Sequence, residues 1–325
     1  MKIASLLTPA LLALLYTYSS AGYAVAQDAP FQQREPALEQ GNVPIIRVES
    51  RLINVPLSVT DEHGAPVGNL TINDLQLLED GKPQKIAIFE RESSSPLSFV
   101  MAIDTSESVL TQFHTELDAA KRFVKTMLRE QDEMDLMSFA DVATELVPFT
   151  NDAKRINSGI GKLQRGDATA VYDTIYLASQ RLMESRRDAT RRRVLVLITD
   201  GGDTTHGMRY QQAVEAAERA GVAIYPIIIV PILADAGRNE GGEHALIQMA
   251  EDTGGKYFYV TEKHDLDAAF AHLSDDLRTQ YLLGYYSPRR GVDASFRNIR
   301  VTLKDPALAA KLRLRHRIGY FADAR

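Results

Sequence analysis

Two aspartates end apolar runs, and each is followed by residues that carry chemistry. Asp104 closes Phe99-Val100-Met101-Ala102-Ile103 and opens Asp104-Thr105-Ser106-Glu107-Ser108. Asp200 closes Val194-Leu195-Val196-Leu197-Ile198, within Thr199-Asp200-Gly201-Gly202. Between them, Gly166-Asp167-Ala168-Thr169-Ala170 precedes a helical pattern and offers the Thr169 hydroxyl. An Asp-x-Ser-x-Ser string alone is a weak signal. Placed at a strand end, with a Thr loop and a second strand-end Asp-Gly downstream, it becomes a strong one. The set Asp104, Ser106, Ser108, Thr169 and Asp200 offers oxygens only, two carboxylates and three hydroxyls. Hard divalent cations favour such donors: Mg²⁺ first, with Mn²⁺ or Ca²⁺ as alternatives. Hydroxyls are neutral, so two carboxylates leave such an ion little surplus negative charge. It stays electrophilic enough to take an acidic side chain from a partner.

Each residue also has a plainer use. Ser106 or Ser108 alone would serve as a helix N-cap. Thr169 could cap the helix that follows it, and Asp200-Gly201 could be a simple turn. Glu107 and Asp203 lie near the set as weaker candidates for the ion, and Asp167 is a candidate to orient the Thr169 loop. His206 and His244 fall in loops on the same presumed edge, where a lone histidine is more often incidental.

The elements that must position these residues show in the patterning. Residues 109–130, 171–187, 209–220, 243–253 and 265–278 have helical spacing. Strand patterns at 99–103, 134–139, 144–149, 194–198, 222–230 and 256–260 alternate with them. The run 194–198 is apolar on both faces, as in a strand covered by helices on both sides. Together they predict an α/β fold with a doubly wound, mostly parallel sheet, in which ligands bind at the carboxyl ends of the strands. Before this unit comes a β-rich stretch. Ile46–Thr60 reads as a strand with Val48, Leu52, Val55, Leu57 and Val59 inward, and Asp80-Gly81 is a turn between Leu75–Glu79 and Lys85–Phe89. After it come strand patterns at Tyr281–Tyr286, Ile299–Leu303 and Leu312–Tyr320. Each flank alone offers few strands, so we expect 45–93 and 279–325 to pack into one sandwich-like β unit, with the α/β unit (97–278) inserted between them. Two separate β modules are the alternative.

The chain has 325 residues, 37 Lys+Arg, 43 Asp+Glu and a net charge of −6, which disfavours a general nucleic-acid binder. With no Cys, disulfide scaffolds, thiolate zinc sites and cysteine nucleophiles are excluded. Arg186-Arg187 and Arg191-Arg192-Arg193 read as a solvated, dipole-complementing helix end rather than a nucleic-acid patch. Tyr281, Tyr285 and Tyr286 read as sheet packing. Residues 1–26 have the form of a secretory signal: Lys2, an apolar run from Ile3 to Tyr18, then Ala24-Val25-Ala26. Residues 27–44, with Pro30, Pro36 and Pro44, follow as a leader. Export to the periplasm, cell surface or medium is the expectation, with no membrane span after the signal is removed; a retained N-terminal anchor is the alternative.

The five-residue set resembles that of a von Willebrand factor A domain carrying a metal-ion-dependent adhesion site. In that family the Asp-x-Ser-x-Ser loop maps to Asp104, Ser106 and Ser108, the distal Thr to Thr169, and the strand-end Asp of a Thr-Asp-Gly context to Asp200. The resemblance covers about 97–278, with Val109 standing where the family often has Met. The flanks, through Val59-Thr60-Asp61, Leu78-Glu79-Asp80-Gly81, Tyr281-Leu282-Leu283-Gly284-Tyr285-Tyr286 and Arg317-Ile318-Gly319-Tyr320, resemble the bacterial secreted, acidobacterial-type VWFA-related proteins. The resemblance implies a noncatalytic binding protein for adhesion or assembly, whose metal meets a Glu or Asp of a protein partner. A Mg²⁺-dependent hydrolase is an alternative, but His-Glu-x-x-His, Gly-x-Ser-x-Gly, Ser-x-x-Lys and a Walker-type phosphate loop are all missing. A structural envelope protein with an unused metal loop is another.

Overall fold

The strand that carries Asp104, β5 (Leu97–Asp104), is buried at all eight positions. Its odd residues Phe99, Met101 and Ile103 enter one apolar cluster, and Val100 and Ala102 enter another on the opposite face. β8 (Arg192–Thr199) divides in the same way, with Val194, Val196 and Ile198 on one face and Leu195 and Leu197 on the other. Strands apolar on both faces need a helical layer on each side. A computed structural model shows this arrangement and describes residues 52–91, 95–106, 113–186, 190–230, 239–262, 265–289 and 294–322. The expected signal and leader (1–44), Glu107, Ser108 and Val109 lie outside the described residues, as do residues 231–238.

The central sheet has six strands in the order β10-β9-β8-β5-β6-β7, adding β6 (Glu133–Phe139), β7 (Ala143–Thr150), β9 (Val222–Ile229) and β10 (Phe258–Val260). All neighbours are parallel except β6 and β7. Helices α1 (Phe113–Met127), α2 (Ala153–Ile160) and α6 (Asp265–Thr279) contribute to the first cluster through Leu117, Phe123, Ile156, Leu266 and Leu273. Helices α3 (Val171–Glu184), α4 (Tyr210–Ala220) and α5 (Glu240–Thr253) contribute Ile175, Ala213 and Leu246 to the second. The fold is therefore α/β with a largely parallel central sheet. The helix α2 has no counterpart in the sequence reading, and His244 sits within α5 rather than in a loop.

Two four-stranded antiparallel sheets complete the molecule. One has the order β13-β1-β11-β4, from β1 (Leu52–Thr60), β4 (Ile86–Arg91), β11 (Tyr281–Tyr286) and β13 (Arg313–Arg315). The other is β14-β12-β2-β3, from β2 (Leu75–Glu79), β3 (Lys82–Gln84), β12 (Phe296–Leu303) and β14 (Gly319–Phe321). A single apolar cluster draws Val55, Leu57 and Leu283 from the first sheet and Leu75, Leu77, Ile299 and Val301 from the second. Strands from before and after the α/β unit lie side by side: β1 pairs with β11 from Leu52↔Tyr286 to Leu57↔Tyr281. At β1 the buried set is Ile53, Val55, Leu57 and Val59, so Ile53 takes the inward place expected of Leu52, one residue out of register.

Asp80 and Gly81 both have positive φ, 46° and 76°, as a two-residue type I′ hairpin requires. The strand across that turn is Lys82–Gln84, not Lys85–Phe89, because the chain turns away to lay β4 on the other sheet. Leu312–Tyr320 likewise splits into β13 and β14 in different sheets, after a helix α7 (Pro306–Lys311) capped by Asp305. Tyr281 and Tyr285 are buried with their hydroxyls used, Tyr281 accepting from Leu70 N at 3.1 Å and Tyr285 donating to Glu79 at 2.6 Å. Tyr286 is 51% exposed and does not pack as expected.

One residue, Gln280, separates α6 from β11, and a buried polar network surrounds it. Its amide donates to Ser58 Oγ at 2.9 Å, Tyr225 Oη at 2.9 Å and Asp276 Oδ2 at 3.1 Å. Arg315 of β13 bonds Ser58 and pairs with Asp276. Arg192 donates to Gln280 and to the Leu277 carbonyl near the end of α6, and Arg193 to the Ala220 carbonyl at the end of α4. These arginines meet carbonyls at the C-terminal ends of α6 and α4, not of the helix they follow in sequence, and their charge suits those dipole ends. Arg192, however, is buried rather than part of a solvated face.

Candidate functional site

The first strand of the central sheet, β5, has its sequence successor β6 on one side and β8 on the other. Chain order thus reverses between β5 and β8, and a crevice opens at the carboxyl ends of such a strand pair. Asp104 is the last residue of β5, and Asp200 directly follows the last residue of β8.

Asp104 is wholly buried. Its Oδ1 accepts the Ser106 backbone N–H at 2.9 Å, and its Oδ2 accepts the Thr199 hydroxyl at 2.7 Å. Burial, with the nearby Asp200 adding to it, pushes its carboxyl up to about 6 against these hydrogen bonds. Among the described residues, no Lys or Arg forms an ion pair with it. Gly201 N donates to Thr199 Oγ1 at 3.1 Å, so a single hydroxyl joins the Asp104 carboxylate to the turn after β8.

The Thr169 loop joins the same cluster through its backbone. Ser106 forms an isolated parallel bridge with Gly166, whose N–H donates to Thr105 O at 3.1 Å. Thr169 N donates to Thr204 Oγ1 at 2.8 Å, and Thr204 N returns a bond to Thr169 O at 2.9 Å. The loops after β5, before α3 and after β8 are therefore hydrogen-bonded to one another. Four of the five sequence-predicted residues, Asp104, Ser106, Thr169 and Asp200, fall on these three joined segments; Ser108 lies outside the described residues.

Sequence reasoning missed Asp141. It stands just past β6, and its carboxylate accepts Asp167 N at 3.2 Å and Ala168 N at 3.3 Å. Asp141, and not the Asp167 side chain, is the group seen holding the Thr169 loop. A β-carbon at Gly166 would fall 2.5 Å from its Oδ2, which explains the glycine. Asp203 is placed to cap α3: its Oδ1 accepts Tyr172 N at 3.2 Å, and α3 has no side-chain cap from its own N-cap residue, Ala170. Partial burial raises the Asp203 carboxyl, although its backbone hydrogen bonds work against this. The only pointer to Asp141 in the sequence was its place directly after a strand.

Behind Asp200 the backbone is crowded. Gly201 has φ of +100°, and a β-carbon on Gly242, in the first turn of α5, would lie 1.7 Å from the Gly201 carbonyl oxygen. Asn239 caps α5 by accepting Gly242 N at 2.9 Å.

Among the described residues no three Asp, Glu or His side chains gather as metal ligands would. An ion held here would need hydroxyl or water oxygens beside the two carboxylates, and that suits a hard divalent cation. A buried carboxylate with no cationic side chain against it fits the same donor set.

No curated protein matches the sequence. Among solved structures, a von Willebrand factor type A protein from Catenulispora acidiphila is 11% identical, covers 84% of this chain and 75% of its own, and superposes with a TM-score of 0.48. An aerotolerance-related membrane protein from Bacteroides fragilis is 21% identical over 56% of this chain and 98% of its own, with a TM-score of 0.44. Proximal thread matrix protein 1 from the mussel byssus, solved with a zinc-occupied MIDAS motif, is 17% identical over 62% of this chain and 50% of its own, with a TM-score of 0.49. The model of the von Willebrand factor type A domain matches residues 99–272, more than half of the chain, which belongs to that family.

Proposed function

We propose that this is a noncatalytic binding protein that recognises an acidic side chain of a protein partner at a divalent cation. Asp104, Ser106, Ser108, Thr169 and Asp200 would hold the ion, Mg²⁺ by preference, with Mn²⁺ or Ca²⁺ as substitutes. The bound ion would supply an open coordination position for a carboxylate oxygen. The observation that carries this reading is the mutual hydrogen bonding of three loops at the β5/β8 switch point, with buried Asp104 at its centre.

The protein's own groups do the positioning. Thr199 and the Ser106 N–H fix the Asp104 carboxylate, Asp141 fixes the Thr169 loop, and the crowded Gly201–Gly242 contact fixes the turn that bears Asp200. Adhesion or assembly outside the cytoplasm follows from residues 1–26 as a signal and from the resemblance of the flanks to secreted VWFA-related proteins. No helix among the described residues is long and apolar enough to cross a membrane.

The test is capture of partners from envelope and medium fractions on the immobilised full chain, with Mg²⁺ and with EDTA. Protein retained in Mg²⁺, released by EDTA and absent from the Asp104→Ala variant supports the reading. Retention indifferent to both overturns it.

A further inference from the structure

Beside the Thr169 loop a cavity of about 390 Å³ opens to solvent. Its walls include Asp141, Val142, Asp173, Tyr176, Leu177 and Thr205. Among the described residues, its lining carries two carboxylates and no cationic side chain. We propose that this cavity receives a Lys or Arg side chain of the partner, borne close to the acid that meets the metal. The recognised element is then a paired acid and base rather than an acid alone. The proposal rests on the metal-bridged reading above and names what distinguishes one acidic partner from another.

Three observations converge on it. First, the cavity and the metal site share a wall. Asp141 lines the cavity and accepts the Asp167 and Ala168 N–H groups of the Thr169 loop, while Ala170 lines it directly after Thr169. A chain that reaches the metal edge therefore passes its mouth. Second, the wall is amphipathic in the way a long basic side chain is. Val142 is 67% exposed at the β6–β7 turn, and Leu177 and Tyr176 of α3 are partly covered, so an aliphatic stem finds apolar surface. Asp141 and Asp173 offer the charge complement for its head. Third, polar capacity remains inside. Thr205 lines the cavity, and its hydroxyl, shielded from solvent, has no hydrogen-bond partner among the described residues. Asp173 spends one oxygen on Met208 N at 3.1 Å, and its other oxygen accepts no hydrogen bond from the described residues. An acidic partner residue would be repelled from this cavity, which favours one order of charges along the partner over the reverse.

The experiment uses the immobilised full chain and synthetic peptides with one Glu in a Gly-Ser background. One series carries Lys one to four residues on either side of the Glu, and the matched series carries norleucine, uncharged with a similar stem. Affinities are read in Mg²⁺ and in EDTA. The expected result is about tenfold tighter Mg²⁺-dependent binding of Lys over norleucine at one or more spacings. Asp173→Asn and Val142→Lys should each bring that ratio towards one while leaving the Mg²⁺-induced thermal shift unchanged. Equal binding of the two series at every spacing, still dependent on Mg²⁺, overturns the cavity proposal and leaves the metal-bridged reading standing. No Mg²⁺-dependent binding of any Glu peptide overturns both. A Lys preference that survives both variants places the basic residue elsewhere and overturns the cavity proposal.

Discussion

The Thr199 hydroxyl at the end of β8 donates a 2.7 Å hydrogen bond to the Asp104 carboxylate at the end of β5, tying together the two strands between which chain order reverses. The same hydroxyl accepts from Gly201 N, so it sits between the buried carboxylate and the turn of Asp200. Thr199→Val keeps the shape and removes both bonds. Leaving a buried acceptor and donor unpaired costs about 1–3 kcal/mol each at most. We expect lower stability in thermal unfolding and weaker Mg²⁺ affinity by calorimetric titration.

Metal should stabilise the native chain. A ligand that binds only the folded state at one hundred times its Kd adds about 2.7 kcal/mol. Adding Mg²⁺ to the EDTA-treated protein should therefore raise the melting temperature by several degrees. Asp104→Ala should fold and show no such rise; an equal rise in both proteins would place the ion elsewhere.

Gly242→Ala drives a methyl group into the Gly201 carbonyl, 1.7 Å from where the new carbon would lie. Backbone must move to relieve it, and overpacking of this kind costs about 1–3 kcal/mol. Because the displaced backbone carries Asp200, the variant should lose Mg²⁺ affinity as well as stability. Gly241→Ala, whose new carbon meets Asn239 Oδ1 at an ordinary 3.7 Å, is the matched control.

Asp135 is buried in β6 beside Glu145 of β7, with Arg181 Nε of α3 3.8 Å away. Desolvation first, and then Glu145, raises its carboxyl from 3.8, against the pull of Arg181. An acid raised on folding holds its proton in the native state after the unfolded chain has released it. Stability is then full below the unfolded value and falls as pH climbs from there through the folded one. Denaturant midpoints measured upward from about pH 4 should fall less steeply for Asp135→Asn than for the natural chain.

Arg315 pairs with Asp276 inside the Gln280 network, far along the chain from the metal loops. Arg315→Met leaves Asp276 buried without its cation. Breaking a buried pair from one side costs about 3–5 kcal/mol, discounted here because the Arg315 side chain is 24% exposed. Unfolding should shift strongly while the increment produced by Mg²⁺ stays the same.

Where physics is local, the sequence was readable. The apolar runs at 99–103 and 194–198 became the sheet's centre, and the Asp80-Gly81 turn has the backbone its composition demands. The places of Asp104, Ser106, Thr169 and Asp200 on the loops beside β5, α3 and β8 were readable because each sits at an element boundary. Asp141 was not, because its role is to bind main-chain N–H groups 26 and 27 residues away, a relation without a sequence pattern. The split of 312–320 between two sheets was hidden for a similar reason. Short edge strands take their partners from tertiary packing rather than from alternation. Arg192 looked like surface charge because nothing nearby in sequence reveals that α6 ends against it.

β4 leaves its sheet at Arg91, and β11 enters it at Tyr281, the residue opposite Arg91 in the ladder. Everything from β5 to α6 is thus hung from two adjacent points on one platform. The whole α/β unit could be unplugged and another grafted in its place with only a short turn to close, so changes within it need not disturb the base that carries it.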